Sequence, residues 1–299
     1  MGGSARTSGS HTLLPWRLKL AAKLFLGLLP VSYEKLRATL TGYRGGMGDP
    51  AYAEATFNKH FEQHKRYDQE GQPGTFLELG PGGSLTNGIL ALSKGFKTCV
   101  LIDVGNFASA DKRIYEEALK RHLPDKANAL KSRGRSLNRL EALEEFDIHY
   151  ETQGLRSLKQ VPSASVSLSF SQAVFEHVRF DEFEETLREL FRVHRKGTVS
   201  SHRVDFKDHL GGSLNNMRFS RKLWESKLFP NDGFYTNRLR YCDVRDACRK
   251  AGFEIVSEEL EKWDDLPLEK QKMAREFQRY KDNDLLIKGA DIVLRVPKD

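Results

Sequence analysis

The chain has 299 residues, 39% of them hydrophobic and 30% charged, which suits one large α/β domain with an appendage or two small domains and excludes a largely disordered chain. Its formal charge of +7 is uneven: residues 1–44 hold seven basic side chains (Arg6, Arg17, Lys19, Lys23, Lys35, Arg37 and Arg44) against one acid, Glu34. The three cysteines, Cys99, Cys242 and Cys248, fall in no CxxC or Cys/His pattern, so no disulfide framework or metal site is expected and a cytoplasmic, reducing setting is the default.

Residues 1–12 are rich in Gly, Ser and Thr and are expected to be disordered. The segment that follows, LLPWRLKLAAKLFLGLLP (13–30), is interrupted by Arg17, Lys19 and Lys23, so it is too charged to span a bilayer and a poor match to a secretory signal. Two readings stay open for it. One is a basic-faced helix packed on the main domain. The other is a peripheral contact with an anionic membrane face, anchored by Trp16. Asp49-Pro50 then reads as an N-cap and first-turn proline for a helix over 51–67. Residues 1–70 are thus expected to form a basic, helical extension, and 71–299 the main domain.

From Thr75 the elements alternate. Strands are expected at 75–80, 97–104, 146–152, 164–172 and 197–206, with helices at 85–95, through much of 107–146, and at 180–195. A helix over 241–253 and strands at 254–263 and 290–297 complete the pattern. Strands separated by helices predict an α/β, doubly wound and mostly parallel sheet of seven strands.

The first strand runs into glycines in FLELGPGGSLTNG (76–88), where backbone can approach a ligand closely beside a helix N-terminus. The dinucleotide pattern GxGxxG fails because Leu85 stands where its last glycine is required. No Lys-Ser/Thr follows, which excludes a phosphate-cradling loop. Asp103, at the end of the second strand, can accept both hydroxyls of a ribose. A cofactor with a ribose and no phosphate chain suits this turn.

LELGPGGSL, VLIDV and SLSFSQAVFEHV together resemble the nucleoside-binding motifs of the class I S-adenosylmethionine-dependent methyltransferases, over about 75–200 and more loosely to 299. Through HLGGSLNNMRFSRKLWES and GFYTNRLRY the chain also resembles a bacterial group of methyltransferase-domain proteins met among envelope-polysaccharide genes. The resemblance implies a Rossmann-like methyltransferase domain over 71–299, with S-adenosyl-L-methionine as cofactor. Glu78, Gly80 and Gly82 would line its methionine part, Asp103 its ribose, and Gly154 with Leu155 its adenine edge. Ser171 and Gln172 would close the pocket from below. Ser84 and Ser167 depart from the family pattern, in which a glycine and an acid are usual.

For an oxygen acceptor the chemistry needs a base, and histidine is the natural choice near neutral pH. His177 follows the fourth strand. SSHRVDFKDHLGG then places His202, Arg203, Asp205, Asp208 and His209 at the end of the fifth, so His177 and His202 are candidate bases, Asp205 a candidate orienter and His209 a further catalytic candidate. Residues 211–240 mix Asn216, Arg218, Trp224, Tyr235, Asn237 and Arg238, which suit a sugar or an anion. The same stretch reads equally well as a lid with an aromatic core. The expected activity is methyl transfer to a small or glycan-linked polar acceptor, at oxygen. The alternatives are a nucleic-acid methyltransferase and a non-catalytic module that binds a partner or membrane. The fourth strand ends in Ser-Gln-Ala-Val, without the Asn/Asp-Pro-Pro-aromatic signature that grips exocyclic amines, which disfavours nucleic acid.

Overall fold

A computed structural model describes residues 15–18, 20–21, 49–132, 140–226 and 235–298. Helix α1 (Pro50–Tyr67) starts where Asp49 accepts a hydrogen bond from the Ala51 amide at 3.0 Å. It buries Ala53, Thr56, Phe57 and His60, one face of a 3.6-residue period. Phe57 meets Phe76 and Phe170 edge-on at 5.8 and 6.2 Å, and the His60 ring stacks on Phe170 at 4.5 Å. The expected boundary at residue 70 is therefore not a packing boundary, because α1 is part of the main core.

Strand β1 (Thr75–Leu79) leads through the glycine turn into α2 (Thr86–Ser93), then β2 (Thr98–Ile102). The expected helical stretch over 107–146 contains α3 (Lys112–His122), α4 (Pro124–Ser132) and a 3-10 segment at Leu140–Phe146. Pro124, which cannot continue a helix from the preceding turn, separates the first two. Next come β3 (Ile148–Glu151), the short α5 (Leu155–Leu158), β4 (Val166–Gln172) and α6 (Phe183–Val193). β5 (His194–Asp205) begins three residues before the expected start, absorbing an irregularity in register opposite Val166 and Leu168. After α7 (Arg221–Trp224) and α8 (Tyr241–Lys250), the chain closes with β6 (Glu254–Lys262), α9 (Asp282–Leu285) and β7 (Ile287–Arg295).

The seven strands lie in the order β3-β2-β1-β4-β5-β7-β6, all parallel except β7, which runs antiparallel to both β5 and β6. This is the mostly parallel sheet that the alternation predicted, with a final hairpin that it did not. Each face carries a core. One holds Phe57, Phe76, Leu101 and Phe170 under α1 to α3. The other holds Leu77, Leu79, Leu187, Leu190 and Ile292 under α6 and α8. Fully burying each such side chain contributes roughly 1.5–3 kcal/mol. The chain leaves β1 outward through β2 and β3 and returns past it to β4. The winding therefore reverses between β1 and β4, and their carboxyl ends define a crevice.

A third, smaller core joins Leu214 and Met217 to Leu268, Met273, Phe277, Tyr280 and Leu285, and had no counterpart among the sequence expectations. Of the basic N-terminal segment, Leu20 is buried against Leu210, Trp224 and Tyr235. Trp16, the anchor in the membrane-contact reading, is half-buried with its ring 6.2 Å from Phe219 and the Arg218 guanidinium 5.3 Å above it. Residues 22–48 lie outside the described residues, and among those described no helix is long and apolar enough to cross a membrane.

Candidate functional site

The carboxyl ends of β1 and β2 are tied together by the glycine turn. The Gly80 amide donates to Ile102 O at 2.7 Å and the Gly82 amide to Asp103 Oδ2 at 3.0 Å. The other Asp103 oxygen accepts from the Val104 amide at 2.8 Å, and Asp103 O accepts from the Gly154 amide at 2.8 Å. Gly80, Gly82, Asp103 and Gly154, assigned to one pocket on the resemblance, are thus assembled by hydrogen bonds. Both turn glycines hold left-handed backbone, with φ of 70° and 61°. A Cβ on Gly80 would collide with Val174 of the turn after β4, whereas one on Gly82 would meet nothing within 4 Å. Gly80 is therefore a packing glycine, and Gly82 faces open space. Ser84, where the resemblance led to a glycine being expected, has a local role: its hydroxyl accepts from the Thr86 amide at 3.2 Å at the entry to α2.

Glu78, 1% exposed, sits beneath this turn. Asn87 of α2 donates to its Oε1 at 2.8 Å, while Oε2 is buried with no hydrogen-bond partner. Burial pushes its carboxyl up to about 8, opposed by the Asn87 bond. Burial also raises Asp103, against the two amides that favour its charged form. An orphaned carboxyl oxygen beside an open glycine, in a turn without a lysine, fits a cofactor with a cationic, phosphate-free end. Leu155 opens α5 and is half-buried beside Gly154.

Ser171 and Gln172 are placed differently from each other. Gln172 is tied to α1, with Oε1 3.2 Å from His60 Nε2 and Nε2 donating to Tyr52 Oη at 3.4 Å. Ser171 is wholly buried, its hydroxyl 2.8 Å from His202 Nδ1. His202 in turn places Nε2 2.6 Å from Ser200 Oγ and stacks on Phe175 at 4.1 Å. The chain of contacts continues from Ser200 to Ser169 at 2.5 Å, from Ser169 to His194 Nε2 at 2.8 Å, and from His194 Nδ1 to Thr198 Oγ1 at 2.9 Å. The expectation of His202 as base is corrected here, since a base needs a free lone pair facing the acceptor and both of its nitrogens are engaged in the core. Asp205 cannot orient it either, because its Oδ1 accepts from the Lys207 amide at 2.9 Å and serines flank the imidazole.

His177 keeps the role open to it. Its Nδ1 is 2.9 Å from Tyr235 O, so it carries the proton and leaves Nε2 as the acceptor. The residue is exposed as a whole, and its ring lies 4.9 Å from that of His209. Surrounding protein atoms and His209 lower its pKa, so it is neutral at physiological pH. Asp208, grouped with these histidines by sequence, organises the loop instead: its carboxylate accepts from the amides of Leu210, Gly211, Ser213 and Asn215 at 2.5–3.3 Å.

Most of the expected acceptor-binding residues are brought together as the core of a lid. Trp224 is fully buried and donates to Thr236 O at 2.9 Å, and Asn216 Nδ2 donates to Thr236 Oγ1 at 2.9 Å. Tyr235 donates to Glu225 Oε2 at 3.0 Å. Asn237 Nδ2 clamps the turn after β4 through Phe175 O and Val178 O, at 2.8 and 3.0 Å. Arg238 donates to Phe219 O at 2.6 Å, with Nε and Nη2 buried and unpaired. Arg218 reaches Asn215 Oδ1 at 3.2 Å. Side-chain types alone could not separate a sugar platform from a packed lid, and buried Trp224, Tyr235 and Asn237 favour the lid. Tyr52, His60, Asn87 and Glu176 were missed as site neighbours. Asn87 carried a signal, being a polar residue inside an apolar helix one turn past the glycines. Among the described residues no group of His, Cys, Asp and Glu is placed to hold a metal ion.

No protein-family model matches the chain, and no curated protein matches it. Among solved structures it is similar to an S-adenosylmethionine-dependent methyltransferase from Mesorhizobium loti, at 14% identity over 79% of this chain and 97% of that one, with a TM-score of 0.42. It is similar also to S-adenosylmethionine-dependent methyltransferases from Methanosarcina mazei, at 16% identity over 79% and 97%, with a TM-score of 0.42. At that level of likeness, what the chain does has to be read from its own residues.

Proposed function

We propose that this protein uses S-adenosylmethionine to methylate an oxygen of a small or glycan-linked polar acceptor. One observation carries this reading: the turn at the β1–β4 switch point joins Gly82, open to a ligand, to the Asp103 carboxylate, above a Glu78 oxygen with no partner. When bound, the cofactor supplies a methyl group on a sulfonium. Gly80, Gly82, Asp103 and Gly154 would hold it, with Glu78 beneath its cationic end. His177 Nε2 would accept the proton of the acceptor hydroxyl, with Tyr235 O fixing the ring's tautomer. The resemblance to proteins met among envelope-polysaccharide genes supports a glycan-linked acceptor.

Calorimetry with S-adenosylmethionine tests the cofactor, and no binding at high micromolar concentration would remove the enzyme reading in favour of a non-catalytic module. Release of S-adenosylhomocysteine in the presence of nucleotide sugars and lipid-linked glycans tests the acceptor class. His177→Ala is expected to keep cofactor affinity and lose turnover; loss of both in parallel would count against its role as base.

A further inference from the structure

Among the described residues, Glu176 is the carboxyl with both oxygens sealed from solvent and neither in a hydrogen bond; the residue is 4% exposed. Such a group is costly to keep in a fold, because it loses water and gains nothing in return. Of the groups acting on it, Arg203 alone brings opposite charge. Arg203 of β5 is committed to Glu261 and Asp291, at 2.8 and 3.0 Å. Asp205, at the β5 tip, bears the same sign of charge. The amides of Glu176 itself and of Asp205 face the carboxyl and favour its charged form, but neither reaches full hydrogen-bond geometry. On its own turn, Phe175 is stacked on His202, and the His177 ring is turned to Tyr235 O beside His209. From the lid, Asn237 meets only the backbone, donating its amide to Glu176 O at 2.8 Å.

The place of this carboxyl is specific. Val174, two residues earlier, is the side chain that a Cβ on Gly80 would strike, so the turn carrying Glu176 abuts the glycine turn. A buried carboxyl thus stands on each side of the β1–β4 crevice, Glu78 on one strand with one oxygen unpartnered and Glu176 just past the other with both.

We propose that Glu176 reads the positive charge of the cofactor, ionising when a sulfonium enters the crevice, so that the site separates S-adenosylmethionine from its neutral product S-adenosylhomocysteine. This rests on the cofactor reading above. No covalent bond is made, and the proton from Glu176 leaves to solvent. Burial holds its carboxyl at about 8, so at pH 7 the free protein carries it protonated, and an entering cation lowers its pKa and expels the proton. Binding of the sulfonium therefore tightens as pH rises from 6 to 8, whereas binding of the thioether does not. Glu78, faced by Asn87 and Asp103 and also held at about 8, responds in the same sense and persists when Glu176 is changed.

The test is calorimetric titration of the full chain at pH 7 with S-adenosylmethionine and S-adenosylhomocysteine, in two buffers of different ionisation enthalpy. Wild type, Glu176→Gln and Glu176→Asp are compared, after urea unfolding has shown each variant folded. Glu176→Gln is expected to weaken S-adenosylmethionine at least about tenfold, one pKa unit of lost charge pairing, and to leave S-adenosylhomocysteine within about twofold. It should also release one proton fewer, and Glu176→Asp should restore that release. Equal weakening of both ligands, or no change in either, overturns the proposal while leaving the cofactor reading intact. Failure of wild type to bind either ligand overturns the cofactor reading and this inference together.

Discussion

Replacing Glu176 by Gln has a consequence for stability that can be worked out before any ligand is added. The folded carboxyl titrates at about 8 and an unfolded one at 4.5. Between those values the folded state holds the extra proton, so unfolding releases it. The contribution is full below pH 4.5 and is lost as pH rises through 8. Measured from that low-pH limit, the loss is about 4 kcal/mol at pH 7.5 and about 1.4 kcal/mol at pH 5.5. The amide of Gln is neutral at both, so its own burial cost cancels in the comparison. Stability gained by the variant over wild type should thus be larger at pH 7.5 than at pH 5.5 by about 2.5 kcal/mol. Urea unfolding followed by tryptophan fluorescence at the two pH values measures it. A stability change equal at both would show that Glu176 is not held protonated by burial. Two buried histidines act in the opposite sense. His60 and His194 are pushed down to about 4 and about 3, so the folded state resists protonation that the unfolded state accepts below 6.5. Each then costs about 1.4 kcal/mol at pH 5.5, and the Glu176→Gln variant should be more acid-labile than wild type.

Gly82→Ala should cost about 1–2 kcal/mol from its left-handed backbone alone and abolish S-adenosylmethionine binding by filling the open side of the turn; a folded variant with unchanged affinity would place the cofactor elsewhere. His202→Ala should lower the thermal midpoint by an amount corresponding to about 3 kcal/mol or more, since it empties a packed site against Phe175 and strands two serine hydroxyls. An unchanged midpoint with lost turnover would restore His202 as a catalytic group. Asp208→Ala leaves four amides of the loop without an acceptor and should raise hydrogen exchange over 210–215 without altering cofactor affinity.

The sheet was readable because period and punctuation agreed: TCVLI is an apolar run and VSLSFSQ alternates apolar residues with serines, both bounded by turn residues, and α1 and α6 bury the positions of a 3.6-residue period. Gly80, Gly82 and Asp103 stood out as glycines and a carboxylate at strand ends, and Gly154 through the resemblance alone; the need for glycine at position 80 lies in the contact with Val174, which the sequence does not show. The roles of the histidines were not readable. His177 and His202 have similar polar neighbours in sequence, but His177 lies in the turn after β4, whereas strand register places His202 between Ser171 and Ser200 beneath Phe175. Arg238 and Trp224 suggest a binding surface by type, yet a residue type does not say whether its partner is a ligand or the protein's own carbonyl groups. The core that joins Leu214 to Phe277 was invisible because it closes over 60 residues of chain with short 3-10 turns and no sustained period.

The run from Ser171 to Thr198 has a direction. Thr198 Oγ1 lies 2.7 Å from Arg195 O, and of that pair only the hydroxyl can donate. Its hydrogen being spent there, His194 must donate from Nδ1, and its bare Nε2 must accept from Ser169. Ser169 then accepts from Ser200, Ser200 accepts from His202 Nε2, and His202 Nδ1 accepts from Ser171. Burial keeps both rings neutral, so the two imidazoles are assigned opposite tautomers, Nδ1–H at His194 and Nε2–H at His202. Ring nitrogen shifts would reveal two such forms side by side, and matching tautomers would contradict the assignment. A row of hydroxyls and imidazoles through a core invites comparison with a wire for protons. This one ends on a peptide carbonyl, which has no proton to pass on, so it fixes the dipoles beneath the crevice and conducts nothing.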